Sequence, residues 1–346
     1  MNVGMRRTGF VASLVLVWTI AGCTSDPDPT AVQVYKFGPY TVPAGTEDTS
    51  KCVQITLHND QPLYVNKVEL TTGPGFHHSN WFFVPEHVFP GDDGTYNCDD
   101  RAFNQATAGI FGGVFFAQST QSAHEIQQFP AGHVVKVPPH FKLVATIHLL
   151  NTGDEDLQLT PHIDVSPIRE SDVTQKLTSV AFEYHPLGLP PQKQSRFSVE
   201  CDLNERSQAI FGTAPDFNLY YALAHYHKYG TGLTIDAVRD DGTSSQIFTT
   251  RNAVGDSLGG MLDPMFSMSG FTKLRLTCDY FNSTDSTIYY GNGAGEMCVF
   301  LAFSDSPYIW AGGAIDEGDP GTPTDVNGVM SFQRGCQVFA TDGDRG

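Results

Sequence analysis

Histidines carry the first hint of chemistry in this chain. His225 and His227 flank a single tyrosine, Glu296-Met297-Cys298 follows later, His77-His78 precedes them, and His148 stands at the end of an apolar run. Two imidazoles with a thioether form a borderline-to-soft donor set that suits copper cycling through Cu(I), whereas three imidazoles suit Cu(II) and Cu(I) alike. Two different sites of this kind would divide the labour between them. In a strand, residues i and i+2 face the same way, so His225 and His227 project together, with Tyr221 and Leu223 continuing that face as an apolar row. Met297, Val299, Leu301 and Phe303 form a second row, and two such strands packed face to face would bring the thioether to the imidazoles. His77 and His78 pose the opposite problem, because adjacent strand residues face apart. Both reach one ion only if the chain bends there, as Pro74-Gly75 would allow, or if one ring binds through Nδ1 and the other through Nε2. Plainer explanations exist for each set. In a chain with 12 histidines a His-x-His arises by chance, an adjacent pair can simply face solvent, and a lone Met is more often core filler than ligand.

Taken in order, Gly75-Phe76-His77-His78, Leu143-Val144-Ala145-Thr146-Ile147-His148, Ala224-His225-Tyr226-His227-Lys228-Tyr229-Gly230, and Tyr290-Gly291 leading to Glu296-Met297-Cys298 form a pattern. The pattern resembles the copper type II, ascorbate-dependent monooxygenases, the family of peptidylglycine alpha-hydroxylating monooxygenase and dopamine beta-monooxygenase. The likeness spans nearly all of the chain after its leader. It implies that His77, His78 and His148 hold an electron-transfer copper, and that His225, His227 and Met297 hold the copper that binds and activates oxygen. Two coppers per chain, with ascorbate or another reductant as co-substrate, would hydroxylate an aliphatic C–H bond of a small substrate. One oxygen atom of O2 would enter the product and the other would leave as water.

One departure bears on the substrate. The peptide-hydroxylating branch anchors its substrate's carboxylate with an Arg two residues before the first His of His-x-His, and with Asn and Tyr two and four residues after the ligand Met. Here those places carry Leu223, Val299 and Leu301. A carboxylate buried there without a partner is expensive, which disfavours glycine-extended peptides and favours a neutral or amine-bearing molecule.

The ends and the cysteines set the compartment. Arg6-Arg7, an apolar run from Phe10 to Ile20 and then Ala21-Gly22-Cys23 read as a bacterial lipoprotein leader over residues 1–22, with Cys23 as the lipidated N-terminus and residues 23–32 as a tether. The expected location is the cell envelope, facing the periplasm or the outer surface, with the membrane reached only through that lipid. Of seven cysteines, Cys23 is then spent, and six in an exported chain argue for three disulfides whose connectivity the sequence leaves open. The family resemblance implies Cys52–Cys98, Cys201–Cys336 and Cys278–Cys298, the last bracing the segment of Met297. A formal net charge of −18 repels phosphate backbones and excludes nucleic acid as an expected partner. The expected partners are a small-molecule substrate, O2 and a reductant.

These sites need elements that hold them. Short β-rich runs bounded by Gly, Pro, Asn and Asp recur, among them Cys52 to His58, Leu63 to Leu70, Lys142 to Leu150, Arg196 to Leu203, Leu219 to Tyr226, Phe271 to Tyr280 and Met297 to Phe303. The fold class expected is all-β, two tandem antiparallel jelly-roll-like sandwiches: an N-terminal copper domain over 33–170 and a C-terminal one over 171–342, divided in the polar stretch Pro167 to Thr174. Gly312 to Gly328 reads as a Gly/Pro/Asp loop. Met261, Met265 and Met268 fit loop and core packing better than a Cu(I) cluster. His58, His87, His124, His133, His140, His162 and His185 match no ligand position and read as surface or structural.

Gly255-Asp256-Ser257-Leu258-Gly259 matches the G-x-S-x-G of serine hydrolases, but that chemistry needs a strand-to-helix elbow and a later histidine base, and none follows His227. Two readings from other classes stay open: a non-catalytic, membrane-anchored copper-binding protein, and a glycan- or partner-binding double sandwich that holds no copper.

Overall fold

The computed structural model describes Met1, residues 28–316, Gly318 and residues 320–343. The expected leader after Met1, Cys23 and the first residues of the expected tether lie outside the described residues. Strands dominate the described residues and helices are few and short, which makes the protein all-β. Among the described residues, no helix is long and apolar enough to cross a membrane.

The strands build two jelly-roll-like sandwiches. In the first, a sheet ordered Gln33–Lys36, His162–Ile168, Leu63–Thr71, His133–Val137 and Gln175–Lys176 packs on one ordered Gly94–Asn97, Glu47–Thr56, Phe141–Leu150, Phe76–Pro85 and Gly113–Ala117. Val53, Trp81, Ala145 and Ile147 from one sheet meet Val65, Val68, Val135 and Ile163 from the other in a shared core. In the second, a sheet ordered Gly259–Ser267, Asn218–His225, Val299–Ser304, Thr178–Tyr184, Tyr308–Ala314 and Gln337–Asp342 packs on one ordered Ser244–Thr250, Gly230–Val238, Lys273–Asn282, Lys193–Asp202, Val329–Arg334 and Thr324–Val326. Phe182, Ala222, Phe300 and Trp310 there meet Phe197, Ile235, Leu276 and Phe332. Among the described strands, pairing is antiparallel apart from three parallel strand pairs, such as Gln175–Lys176 against His133–Val134. That pair keeps the chain in the first group of sheets through Lys176, past the polar stretch where the sequence places the boundary.

Period-two alternation explains how the sandwiches meet. On the Asn218–His225 strand, Ala222 and Ala224 face the core of the second sandwich, while Tyr221 and Leu223 join the core that includes the first. Its neighbour Val299–Ser304 splits likewise, Phe300 and Ala302 to one side and Leu301 and Phe303 to the other. A sheet buried on both faces reads as a nearly continuous apolar run, and these strands do. Phe129 of the first sandwich sets its ring edge-on to Phe303 at 5.0 Å between centroids, so the junction is packed like an interior.

The three disulfides are Cys52–Cys98, Cys201–Cys336 and Cys278–Cys298, the pairing the family resemblance implies. Such bridges belong to a chain that matures in an oxidising, exported compartment. Gly312 and Gly313 do not sit in a loop. They lie in the Tyr308–Ala314 strand, where a Cβ would come within 2.4 Å of the Gln337 carbonyl and 1.9 Å of the Glu183 carbonyl respectively. Glycine serves close strand approach there, a use that composition alone does not separate from a loop.

Candidate metal centre

The Phe76–Pro85 strand lies beside Phe141–Leu150, with His78 opposite His148. The register then slips, because Leu149 pairs with Phe76 and leaves His77 as an extra residue on its strand. A bulge of this kind kinks the strand and re-aims side chains, which resolves how neighbouring histidines reach one point. Gly75, with φ +91°, supports the bend from upstream. His77 Nδ1 lies 3.1 Å from His148 Nδ1, and His148 Nδ1 lies 3.1 Å from His78 Nε2. Two metal–nitrogen bonds of about 2.0–2.1 Å at a tetrahedral angle separate their nitrogens by roughly 3.3 Å, so one ion fits this spacing.

His148 turns its other nitrogen, Nε2, to Glu47 Oε1 at 2.6 Å. A carboxylate there takes the N–H, leaves Nδ1 bare toward His77 and His78, and makes the imidazole more basic. Glu47 reaches this place past Gly293 of the second sandwich, where a Cβ would come within 2.2 Å of the carboxylate.

The second set comes from the end of the Asn218–His225 strand. His225 Nδ1 donates to the Gln118 carbonyl at 3.2 Å, and His227 Nδ1 donates to the Gly295 carbonyl at 3.0 Å. A carbonyl can only accept, so both rings carry their proton on Nδ1 and present a bare Nε2. Those two Nε2 atoms, with His78 Nδ1, are buried without a hydrogen-bond partner. Ligand atoms of His78, His225 and His227 lie within 4.8 Å of one another, as do those of His77, His78 and His148. Orphaned buried nitrogens converging this way fit a metal ion, which would satisfy them.

The two sets adjoin. Expected from the sequence as separate sites, they meet at the junction of the sandwiches and have His78 in common, its ring 4.7 Å from that of His225 and 4.9 Å from that of His148. All five rings are between 2% and 6% exposed. Burial, with neighbouring imidazoles adding to it, pushes His77 down to about 2, His225 to about 3 and His227 to about 4 and lowers His78 as well, while burial lowers His148 against the opposing pull of Glu47. All five are therefore neutral at pH 7, the form that binds metal.

Met297 does not begin a strand, since Val299–Ser304 starts after it, and that strand lies beside Asn218–His225 in one sheet rather than facing it. The paired register ends at His225 opposite Val299, and Met297 and His227, each two residues beyond it, lie outside the strands, Met297 half-buried. Glu296, fully buried, fixes that turn. Its carboxylate accepts from the backbone N–H of His227 at 2.8 Å, of Tyr229 at 2.6 Å and of Met297 at 3.1 Å. Burial still raises it to about 7. Tyr280 donates its hydroxyl to the Met297 carbonyl at 2.7 Å, and Cys298 is tied to Cys278 on the opposite sheet.

Glu47 and the carbonyls of Gln118 and Gly295 are participants that sequence reasoning missed. Only Glu296, a charge beside Met297 in an apolar stretch, left a signal. Leu223 and Leu301 are 1% and 6% exposed and packed in the junction core. Among the described residues, no other histidine joins either cluster. Met268 is buried, whereas Met261 and Met265 are exposed on the Gly259–Ser267 strand. Ser257 donates to Glu125 at 2.6 Å and precedes a strand rather than a helix, so it forms no nucleophile elbow.

No family model matches the chain, and no curated protein matches it. Solved structures do. A putative secreted protein from Parabacteroides distasonis is 10% identical over 81% of this chain and 90% of its own, with a TM-score of 0.20. PNGase F, a glycosylasparaginase from Flavobacterium meningosepticum, is 10% identical over 89% of this chain and 99% of its own, with a TM-score of 0.36. The major capsid protein P2 of bacteriophage PM2 is 9% identical over 80% and 97%, with a TM-score of 0.29. None of the three is described as a copper monooxygenase, and scores this low carry no argument about the chemistry of this chain.

Proposed function

We propose that this chain is an exported copper monooxygenase, anchored by a lipid on Cys23, that hydroxylates an aliphatic C–H bond of a small molecule. The observation that supports it most is the convergence of five buried, neutral imidazoles, with unpartnered nitrogens on His78, His225 and His227 and with His148, His225 and His227 each steadied through the other ring nitrogen. Copper held there would supply one-electron chemistry on dioxygen. The overall balance is one C–H bond, one O2, two electrons from ascorbate or another reductant, and two protons, giving an alcohol and one water.

The chain's own part is position and exclusion. His77, His78 and His148 would take the electron-transfer metal, with Glu47 holding His148 in the donating orientation. His225, His227 and Met297 would take the oxygen-activating one, with Glu296 tying the backbones of His227 and Met297 to one carboxylate. Because the rings are almost wholly buried, water is kept from the reacting centre and side reactions with it are suppressed. Leu223 and Leu301 offer no partner to a carboxylate, which supports a neutral or amine-bearing substrate over a glycine-extended peptide.

The test is copper titration coupled to turnover. Metal analysis of copper-replete protein is expected to give two coppers per chain, and oxygen uptake with ascorbate and a library of neutral and amine substrates to give a product carrying one atom from labelled O2. One copper or none would remove at least one of the two ligand sets. A second reading, a copper-binding protein without turnover, is favoured by the same burial of all five rings, since capture needs enclosure and hydroxylation needs substrate access. Two coppers bound with no oxygen uptake across the library would select it.

A further inference from the structure

Leaving the Gly113–Ala117 strand, the chain from Gln118 to Ser122 runs as a strap between the two histidine sets and bonds to both. On the first-sandwich side, Gln118 N–H donates to the Ser79 carbonyl at 3.2 Å and Gln121 N–H to the His77 carbonyl at 2.5 Å. On the other side, the Gln118 carbonyl accepts from His225 Nδ1 at 3.2 Å, and Thr120 Oγ1 donates to the Tyr226 carbonyl at 2.8 Å. The Gln118 side chain fixes the strap internally. Its Oε1 accepts from Ser79 Oγ at 3.1 Å and its Nε2 donates to the Ser122 carbonyl at 2.6 Å, while Ser79 Oγ accepts from Trp81 Nε1 at 2.9 Å. Ser79, Gln118, Ser119 and Thr120 are 0% exposed. A polar run buried this completely is costly unless every group is paired, and once paired it specifies a single arrangement.

We propose that Gln118 is a positioning residue that sets the tautomer and direction of His225 from across the junction. The His225/His227 set is then complete only when the strap lies seated between the two ligand strands. The physical route is short. Ser79 and Ser122 hold the amide of Gln118 at both ends, the backbone carbonyl of the same residue is thereby aimed at Nδ1 of His225, and the proton kept on Nδ1 leaves Nε2 bare. His227 takes its orienting carbonyl from Gly295 of its own sandwich and not from the strap. The proposal rests on reading these histidines as metal ligands, but its first readout needs no metal.

The experiment compares wild type with Gln118→Leu, close in volume but without the amide, and with Ser79→Ala, a milder change that keeps the proposal testable where the leucine variant fails to fold. In metal-free protein labelled with 15N-histidine, ring nitrogen shifts are expected to show His225 as a single Nδ1–H tautomer in wild type. Both variants are expected to show a mixture, with His227 unchanged as the internal control. Competition with a Cu(I) chelator is expected to show affinity of the His225/His227 set falling about 10- to 100-fold in Gln118→Leu, the usual consequence of losing an outer-shell partner. A single Nδ1–H tautomer for His225 in the folded variants, with unchanged Cu(I) affinity, would overturn the proposal and leave Gln118 a packing residue. Loss of the single tautomer in the variants supports it even where wild type binds no copper, a result that would sink the copper reading alone.

Discussion

What each imidazole can do is decided by its other nitrogen. His148 faces a carboxylate, while His225 and His227 face carbonyls, and in all three the proton is held away from the cluster. Glu47→Ala should therefore lower copper affinity of the His77/His78/His148 set by about 10- to 100-fold and leave the other set near its original affinity, as read by chelator competition. Equal weakening of both sets would show that Glu47 acts on the junction and not on His148. Met297→Leu keeps apolar volume and should cost less than about 1.5 kcal/mol of stability, yet remove Cu(I) from the His225/His227 set. X-ray absorption should lose a sulfur scatterer at the same time. An unchanged spectrum would mean that the thioether is not a ligand.

Strands were the most legible level, and the geometry between them the least. Alternating apolar runs marked Leu63–Thr71, Phe141–Leu150 and Asn218–His225 within a residue or so, because burial on one or both faces writes its period into the sequence. The bulge at His77 was only half visible, as a bend asked for by Gly75, since an extra residue on one strand is defined by a partner the sequence does not name. Whether Asn218–His225 and Val299–Ser304 pack face to face or pair side by side was equally invisible, both strands having the same apolar pattern in either case. Glu47 and the Gln118 carbonyl are remote in sequence from the rings they steady, and a carbonyl has no residue type to betray it. The disulfides show where element and site are coupled. Cys278→Ser with Cys298→Ser should cost about 2–5 kcal/mol and also weaken Cu(I) binding, because Cys298 directly follows Met297. Removing Cys201–Cys336 should cost stability with copper affinity retained. Denaturant unfolding beside metal titration separates the two effects, and loss of copper from both variants alike would deny the brace its special place.

For the whole molecule, gathering five neutral imidazoles at the seam of two sandwiches couples fold stability to acidity. Burial holds His77 at about 2, His225 at about 3 and His227 at about 4, against 6.5 for an unperturbed imidazole, and His78 and His148 are lowered too. Between about pH 6.5 and 4 the unfolded chain thus binds protons that the folded chain refuses, and the free energy of unfolding falls as pH falls. Two carboxylates work the other way. Glu296, raised to about 7, and Glu125, raised by burial, keep protons in the folded state that an unfolded carboxylate releases, so their contribution grows as pH drops toward 4.5. Five imidazoles, three of them shifted at least as far as Glu296, outweigh these two groups. The metal-free protein should hold a steady Tm down to about pH 6.5 and lose it progressively below. Bound copper competes with protons for the same bare nitrogens, so the loaded form should keep its plateau to lower pH and then release metal as it unfolds. Calorimetry on both forms across that window makes the comparison. A metal-free Tm that stays flat to pH 4 would mean that the imidazoles are open to solvent in solution, and that the junction between the sandwiches is not closed over them.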